Sequence, residues 1–449
     1  MSDIATVVGG RLAGEDAAVR SVTIDSREAQ PGALFFALAG EHHDGHAFVA
    51  DARERGASGA VVTHSDDGAD STVVVDDVQD ALQRLAADER RSMKGKVVGI
   101  TGSTGKTTTK DLATAVLSAR FEVVASPGSF NNEIGLPLTL LAATESTHVI
   151  VAEMGARGLG HIEELCRVAA PNVGIVTNVG VAHMELFGSV ENIAIAKGEL
   201  IAALDAGGTA ILNADDPVVT GYAGLTDARV MRFGEHPDAD VRAEGVALED
   251  DGTARFSLAA AGERLPVRLA IPGEHMVSNA LAAAATGLAL GVEAGDIVEA
   301  LAEAKGSAWR MEVFDAPGGV RVINDAYNAN PTSMASALKA ARRIARGSRL
   351  CSVLGTMREL GPVSREEHER IGDMAARLHV DRLITVGDEA RQMAVAALRE
   401  GTPPDDVASY DDADEALADV RSWVRPGDVV LFKGSRAVGL ERLAEAMRS

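Results

Sequence analysis

The stretch Val97-Val98-Gly99-Ile100-Thr101-Gly102-Ser103-Thr104-Gly105-Lys106-Thr107-Thr108 decides the fold. Residues 97–101 carry no charge and read as a buried strand, and the Thr-rich run after Lys106 reads as the start of a helix. Gly102 and Gly105 let the backbone approach an anion closely. Successive N–H groups at a helix start point at phosphate. Lys106 can then reach the β- and γ-phosphates, and the Thr107 hydroxyl offers an oxygen to Mg²⁺. The usual eight-residue pattern has glycine six positions before the lysine; here that residue is Ile100, so the loop is a shorter G-x-x-G-K-T. An ordinary solvated turn is the competing reading.

Working outward, further buried strands are expected at 148–153, 173–178 and 209–213. Apolar runs separated by helices indicate a parallel sheet covered on both faces. Residues 239–271 break the rhythm with alternating strands, a small antiparallel addition, and helices are expected at 277–290 and 294–304. Upstream, short strands at 33–39, 59–63 and 72–75 precede a helix over 80–93, and the basic run Arg90-Arg91-Ser92-Met93-Lys94-Gly95-Lys96 reads as a linker. Downstream, strands at 320–324, 349–354, 382–386 and 428–432 alternate with Ala-rich helices. The expectation is an α/β chain of three domains, 1–93, 94–305 and 306–449, with a central P-loop parallel-sheet ATPase domain and a C-terminal Rossmann-like domain.

Composition narrows the function classes. A net charge of −23 over 449 residues argues against general nucleic-acid binding, which needs a cationic footprint. Aromatic residues are 3% while hydrophobic residues are 46%, so the cores must rest on Ala, Val, Leu and Ile. Cys166 and Cys351 are isolated and suit buried free thiols rather than a disulfide framework. The first residues lack a basic segment followed by an apolar one, and no apolar run reaches the ~18 residues of a membrane span. A cytoplasmic monomer with no nucleic-acid partner and no membrane span is expected.

Residues Thr101–Thr108 resemble the ATP-binding signature of the Mur ligase family, and the resemblance extends over essentially the whole chain. Asp25-Ser26-Arg27 with Pro31-Gly32-Ala33-Leu34-Phe35, Leu38-Ala39-Gly40 and Asp44-Gly45-His46 resembles the family's uridine-binding domain. Phe130-Asn131-Asn132-Glu133-Ile134-Gly135-Leu136-Pro137 resembles a substrate loop. Glu153-Met154-Gly155-Ala156 with Gly160-His161-Ile162, the block Ala326-Tyr327-Asn328-Ala329-Asn330-Pro331-Thr332-Ser333-Met334, and Lys433-Gly434-Ser435-Arg436 are similar to the dipeptide-adding branch. Thr356 departs from it, standing where the branch usually carries an aspartate.

The resemblance implies an ATP-dependent amide ligase that adds D-alanyl-D-alanine to UDP-N-acetylmuramoyl-tripeptide through an acyl phosphate, in peptidoglycan precursor synthesis. Gly102, Ser103, Thr104, Gly105, Lys106, Thr107 and Thr108 would hold ATP, with Asn279 reading adenine and Asp325 and Asn328 contacting ribose and adenine. Thr107, Glu153, His183 and Lys197 would serve Mg²⁺, Lys197 as a carbamate. Lys106, Glu153, His183, Lys197 and Arg310 are the implied catalytic set, Arg310 reaching the γ-phosphate on domain closure. Ser26 and Arg27 would hold the UDP end; Asn131, Asn132 and Asn330 the substrate; Lys433, Ser435 and Arg436 the dipeptide carboxylate. Residue-level alternatives stand beside this: a strand-end surface carboxylate at Glu153, a structural His183, an unmodified Lys197 that pairs with a phosphate or faces water, a helix cap at Asn279, a turn role for Asn328 through Pro331, and a surface ion pair for Arg310. At the level of function, a same-fold ligase with another amine or carboxylate, or a non-catalytic nucleotide-binding protein, also fits.

Overall fold

A computed structural model describes all residues except 41, 42, 65–70, 182 and 449. Three sheets, each with its own helices, divide the chain into three α/β domains. The first sheet contains β1 (Arg11–Ala13), β2 (Ser21–Thr23), β3 (Ala33–Phe36), β4 (Gly59–Val62) and β5 (Thr72–Val74), in the order β1-β5-β4-β3-β2. Only the β1–β5 pair is antiparallel. The residues of β3 and β4 are buried throughout, so those strands read clearly in the sequence; β1 and β2 are short and half exposed, and sequence reading passed over them.

The second sheet holds β6 (Lys96–Thr101), β7 (Val123–Ala125), β8 (Val149–Glu153), β9 (Val173–Val176), β10 (Thr209–Asn213), β11 (Arg229–Gly234), β12 (Val241–Leu248), β13 (Thr253–Ala260) and β14 (Glu263–Pro272). Its order is β14-β13-β12-β11-β10-β9-β6-β8-β7. The β12-β13-β14 end is the expected antiparallel addition. Register places Ile100 of β6 opposite Glu153 of β8 and Ile175 of β9, so Glu153 emerges beside the phosphate loop.

Small residues govern packing behind that loop. Helix Lys106–Ser118 lies against helix Met276–Leu290, whose Ala280, Ala282, Ala283, Ala284 and Ala285 are wholly buried. A Cβ built on Gly287 would come within 2.5 Å of Val116 Cγ1, so the two helices approach at a distance only glycine permits. This is how a chain poor in aromatics fills its core: thin side chains and close helices.

The third sheet contains β15 (Glu312–Ala316), β16 (Val320–Asn324), β17 (Leu350–Gly355), β18 (Arg382–Val386), β19 (Val407–Tyr410) and β20 (Val429–Lys433), ordered β15-β16-β20-β17-β18-β19. All pairs except β15–β16 are parallel. The chain runs outward from β17 to β19, then returns to insert β20 between β16 and β17. Loops leaving β17 and β20 therefore part in opposite directions, opening a crevice between them. No helix among the described residues is long and apolar enough to cross a membrane.

One expectation is corrected here. Residues 90–96 are not a free linker. Helix Val78–Ser92, capped by Asp77, runs through Arg90, and β6 begins at Lys96. The buried Arg90 guanidinium donates to Ala169 O at 2.8 Å, Ala170 O at 3.0 Å and Asn172 Oδ1 at 3.0 Å. It fastens the first domain's helix to the second domain. Arg90→Ala leaves those acceptors unpaired, which costs about 2 kcal/mol. It is expected to lower the first thermal transition by roughly 4–8 °C and to speed proteolysis around residues 92–95; an unchanged melting profile would contradict the anchor.

Candidate active site

The cleft between the second and third domains has a volume of about 680 Å³ and is walled by Ser103–Thr108, Asn131, Glu153, His183, Asn279, Arg310 and the loops after β16 and β20. The phosphate loop forms its floor. Gly102 has φ +146° and Gly105 φ +80°, values that favour glycine. A Cβ at Gly102 would lie 1.9 Å from Thr177 Oγ1, and one at Gly105 would lie 2.4 Å from Asn279 Oδ1. The loop is braced from below: Ser103 N donates to Asn178 O, Thr104 N donates to Asn178 Oδ1, both at 3.0 Å, and Thr177 Oγ1 donates to Thr104 O at 2.6 Å. Lys106 Nζ folds back onto Gly102 O at 2.8 Å. Burial lowers the Lys106 pKa, with Glu153 opposing and Arg310 reinforcing the shift.

Thr107 is the node of the site. Its hydroxyl donates to Glu153 Oε2 at 2.7 Å and accepts from Arg310 Nη2 at 2.9 Å. Asn131 Nδ2 donates to Glu153 Oε1 at 2.8 Å. Arg310 thus reaches the phosphate loop already in this structure. Its guanidinium lies over the Tyr327 ring, 4.1 Å from the centroid, and its buried Nε has no hydrogen-bond partner among the described residues. Trp309 and Met311, on either side, have φ of +61° and +48°, left-handed values for non-glycine residues. Such strain persists where the surroundings over-determine it. Here Asp325 Oδ1 accepts from Met311 N at 3.0 Å, and Tyr327 N donates to Trp309 O at 3.1 Å.

His183 and Lys197 form the far corner. His183 has φ +58°, and its Nδ1 bonds Glu359 Oε2 across the domain boundary; Glu185 N donates to Glu359 O at 3.1 Å. Burial, then the Lys106 charge, lowers the His183 pKa against the pull of Glu359. Lys197 is 2% exposed, its ammonium 5.8 Å from the Phe187 ring centroid, with no hydrogen-bond partner among the described residues. Burial, reinforced by Lys106, lowers its pKa to about 7. It lies behind the cleft wall rather than on it.

Three family descriptions match along the chain in order: "Mur ligase family, catalytic domain" over residues 18–91, "Mur ligase middle domain" over 100–287, and "Mur ligase, glutamate ligase domain" over 309–436. The chain belongs to the Mur ligase family. It is 41% identical to the UDP-N-acetylmuramoyl-tripeptide–D-alanyl-D-alanine ligase of Mycobacterium tuberculosis, over 100% of this chain and 97% of that protein. The crystal structure of MurF from Acinetobacter baumannii superposes with a TM-score of 0.89 at 32% identity, covering 100% of this chain and 98% of that one. MurF ligase from Thermotoga maritima, solved in complex with ADP, gives a TM-score of 0.83 at 30% identity, covering 97% and 98%.

Not every residue expected at the site of this Mur ligase faces the cleft. Asn279 does, one turn into its helix, where its Oδ1 accepts from Thr109 Oγ1 at 3.3 Å; it is not a cap. Thr108 also lines the wall, whereas Gly102 lies just under it. Asn132 turns away, and its Oδ1 accepts from Gly135 N at 2.9 Å at the start of helix Gly135–Leu141. Asn330 caps helix Pro331–Ala345 in a capping box with Ser333, and Asn328 Oδ1 accepts from Ala329 N at 2.9 Å, while both residues also line the cleft. Lys433, 2% exposed, is committed to Asp325 Oδ2 at 2.7 Å and Asn328 O at 3.0 Å. Arg436 stacks on Trp309 and pairs with Glu441 at 3.0 Å. Both cations line the cleft, as does Ser435, whose Oγ accepts from Arg358 N at 2.9 Å. Ser26 is buried and Arg27 exposed, paired with Asp25, both in the first domain away from this cleft.

Sequence reading missed Asn178, Glu359 and Tyr327 as site residues. Asn178 ends a strand that had been marked, and polar residues at strand ends were the available signal. Glu359 carried none, because its partner His183 lies 176 positions away. Gly102→Ala forces the loop off Thr177 and is expected to weaken ADP binding about tenfold or more, read by calorimetry with circular dichroism as the control for folding; undiminished binding would contradict the close packing.

Proposed function

We propose that this Mur ligase joins D-alanyl-D-alanine to UDP-N-acetylmuramoyl-tripeptide at the expense of ATP, in peptidoglycan precursor synthesis. The observation that carries the reading is the Glu153–Thr107–Arg310 chain at the mouth of the phosphate loop. The names of the similar proteins supply the substrates. We further assign the division at residues 93 and 305 to the UDP-substrate, ATP and amine domains.

The substrate carboxylate attacks the γ-phosphorus of ATP, giving an acyl phosphate and ADP. The dipeptide amine then attacks the acyl carbon, and the C–O bond to phosphate breaks as the amide forms. Gly102–Thr108 amides cradle the phosphates, and Lys106 leaves Gly102 O for the β- and γ-oxygens. Arg310, whose buried Nε has no hydrogen-bond partner among the described residues, has a donor in reserve for the transferring phosphoryl group. Asn279 and the Asn328 turn border the adenosine side. Ser26 and Arg27 take the UDP end, and Asn131 with Glu153 faces the reacting carboxylate. The interdomain wall excludes water from the acyl phosphate.

Mg²⁺ fits the donors present. It is ordinarily held by one or two carboxylates plus phosphates and water, and a hydroxyl beside a carboxylate, Thr107 with Glu153, meets that need. When bound there it would neutralise phosphate charge. His183 and Lys197 are assigned to a second such position. With its pKa near 7, Lys197 has an amine that is largely neutral above neutrality, the form that adds CO₂ and releases a proton to leave a carbamate. That change converts a buried amine into an oxygen-bearing anion near His183 and Lys106.

Phosphate release with UDP-N-acetylmuramoyl-tripeptide and a dipeptide panel tests the function. Turnover is expected with D-alanyl-D-alanine; turnover only with another amine, or nucleotide binding without turnover, would overturn the assignment. For Lys197, activity in CO₂-depleted buffer is expected to recover on adding bicarbonate, more fully at pH 8 than at pH 6. Lys197→Ala is expected to lose on the order of 100-fold or more in kcat; wild-type activity in that variant would reject the carbamate.

A further inference from the structure

Helix Lys106–Ser118, which begins at the phosphate loop, carries a buried lysine that does not line the cleft. This residue, Lys110, is 4% exposed. Its ammonium donates to Ser126 O at 2.9 Å and to Gly128 O at 3.0 Å, and Asp111 Oδ1 lies 3.2 Å away. Three acceptors match the three N–H donors of a lysine, which is what a buried ammonium requires.

Both carbonyls belong to the loop Ser126–Asn131, which delivers Asn131 to the site. Gly128 turns this loop at φ +51°, and carbonyls two residues apart meet one ammonium. At the other end Asn131 Nδ2 donates to Glu153 Oε1 at 2.8 Å, and Asn131 O accepts from Gly155 N at 2.8 Å. Between them, Ser129 Oγ accepts from the Tyr327 hydroxyl of the third domain. Asp111 Oδ2 in turn accepts from Ser307 Oγ, upstream of Arg310. Thr107, Lys110 and Asp111 stand three and four positions apart, on one side of the helix. That side therefore touches Glu153 and Arg310 through Thr107, the Asn131 loop through Lys110, and the segment leading to Arg310 through Asp111.

We infer that Lys110 is a positioning residue for the ligase reaction: it sets the loop Ser126–Asn131 so that Asn131 and Glu153 meet the acceptor carboxylate in line with the γ-phosphate. It acts through the loop and touches no substrate. Without the ammonium, two loop carbonyls lose their donor and Asn131 loses its fixed approach to Glu153. Misplacing a reacting group by ~1 Å costs on the order of 100-fold in rate. The phosphate loop keeps its own braces, Asn178 and Thr177, so nucleotide binding is separable from this alignment. The inference rests on the ligase reading above and adds the group that aligns its nucleophile.

The test is Lys110→Met, which keeps the apolar stem and removes the donors, assayed with UDP-N-acetylmuramoyl-tripeptide, D-alanyl-D-alanine and ATP. It is expected to lose about 10–100-fold in kcat/KM for the nucleotide-linked acceptor. Its KM for ATP and its calorimetric affinity for ADP are expected to stay within about twofold of the wild type. Added to Asn131→Ala, it is expected to cost little more than Asn131→Ala alone, since both act through one contact. Gly128→Val reaches the same contact from the loop side, because a β-branched residue does not keep φ +51°. It leaves the buried helix untouched, is expected to show the same split, and carries the comparison if Lys110→Met does not fold. Backbone amide exchange, read by mass spectrometry, is expected to rise at 126–131 and not in the phosphate loop. In folded protein, additive losses in the double variant, an equal loss of ADP affinity, or wild-type kinetics would overturn the positioning role. A wild type that binds ADP without turnover would count against the ligase reading alone, and exchange at 126–131 would still decide whether Lys110 sets the loop.

Discussion

The Thr107 hydroxyl donates to Glu153 and accepts from Arg310, and so joins three parts of the molecule. Thr107 opens the phosphate-loop helix, Glu153 ends a neighbouring strand, and Arg310 comes from the segment leading into the third domain. If the hydroxyl moves, the carboxylate loses its donor and the arginine its foothold on the loop. The surrounding structure can be understood as holding this one oxygen in place. The β6–β8 register sets Glu153 beside the loop, and Asp325 and Tyr327 hold the strained backbone on either side of Arg310.

Close packing supplies the rigidity. Gly102 and Gly105 press against Thr177 and Asn279, and Gly287 lets two helices meet where a larger residue would separate them. A core of alanine and short aliphatic side chains makes such approaches possible. Charge is treated differently in different places. Arg90, Lys433 and Asp325 spend theirs on fixing backbone, whereas Lys197 is buried with no hydrogen-bond partner among the described residues, its pKa lowered by burial to about 7. An unpaired buried amine is costly unless its charge can change, and that is the physical ground for assigning chemistry to it.

Much of this was legible in the sequence. The apolar strands of the central sheet and the phosphate loop announce themselves because their residues are buried on both faces. Short edge strands such as β1, β2 and β15 do not, because half their residues face water. The resemblance to the Mur ligases pointed to Glu153, His183 and Arg310 as site members, and the structure brings all three to one cleft. Other side chains carry structural commitments that the sequence does not show: Asn132 and Asn330 serve helix starts, and Lys433, expected at the dipeptide carboxylate, lies in a buried ion pair at the cleft wall. Side-chain commitments of that kind depend on partners far away in the chain, as Lys433 and Asp325 are.

The central claim is that the carboxylate of the nucleotide-linked substrate attacks phosphorus in the cleft beneath Arg310. Isotopically heavy oxygen placed in that carboxylate tests it directly. After one turnover with D-alanyl-D-alanine, mass analysis should find one heavy oxygen transferred to the released phosphate. Phosphate released without the heavy oxygen would contradict an acyl phosphate, and with it the role drawn for Thr107, Glu153 and Arg310.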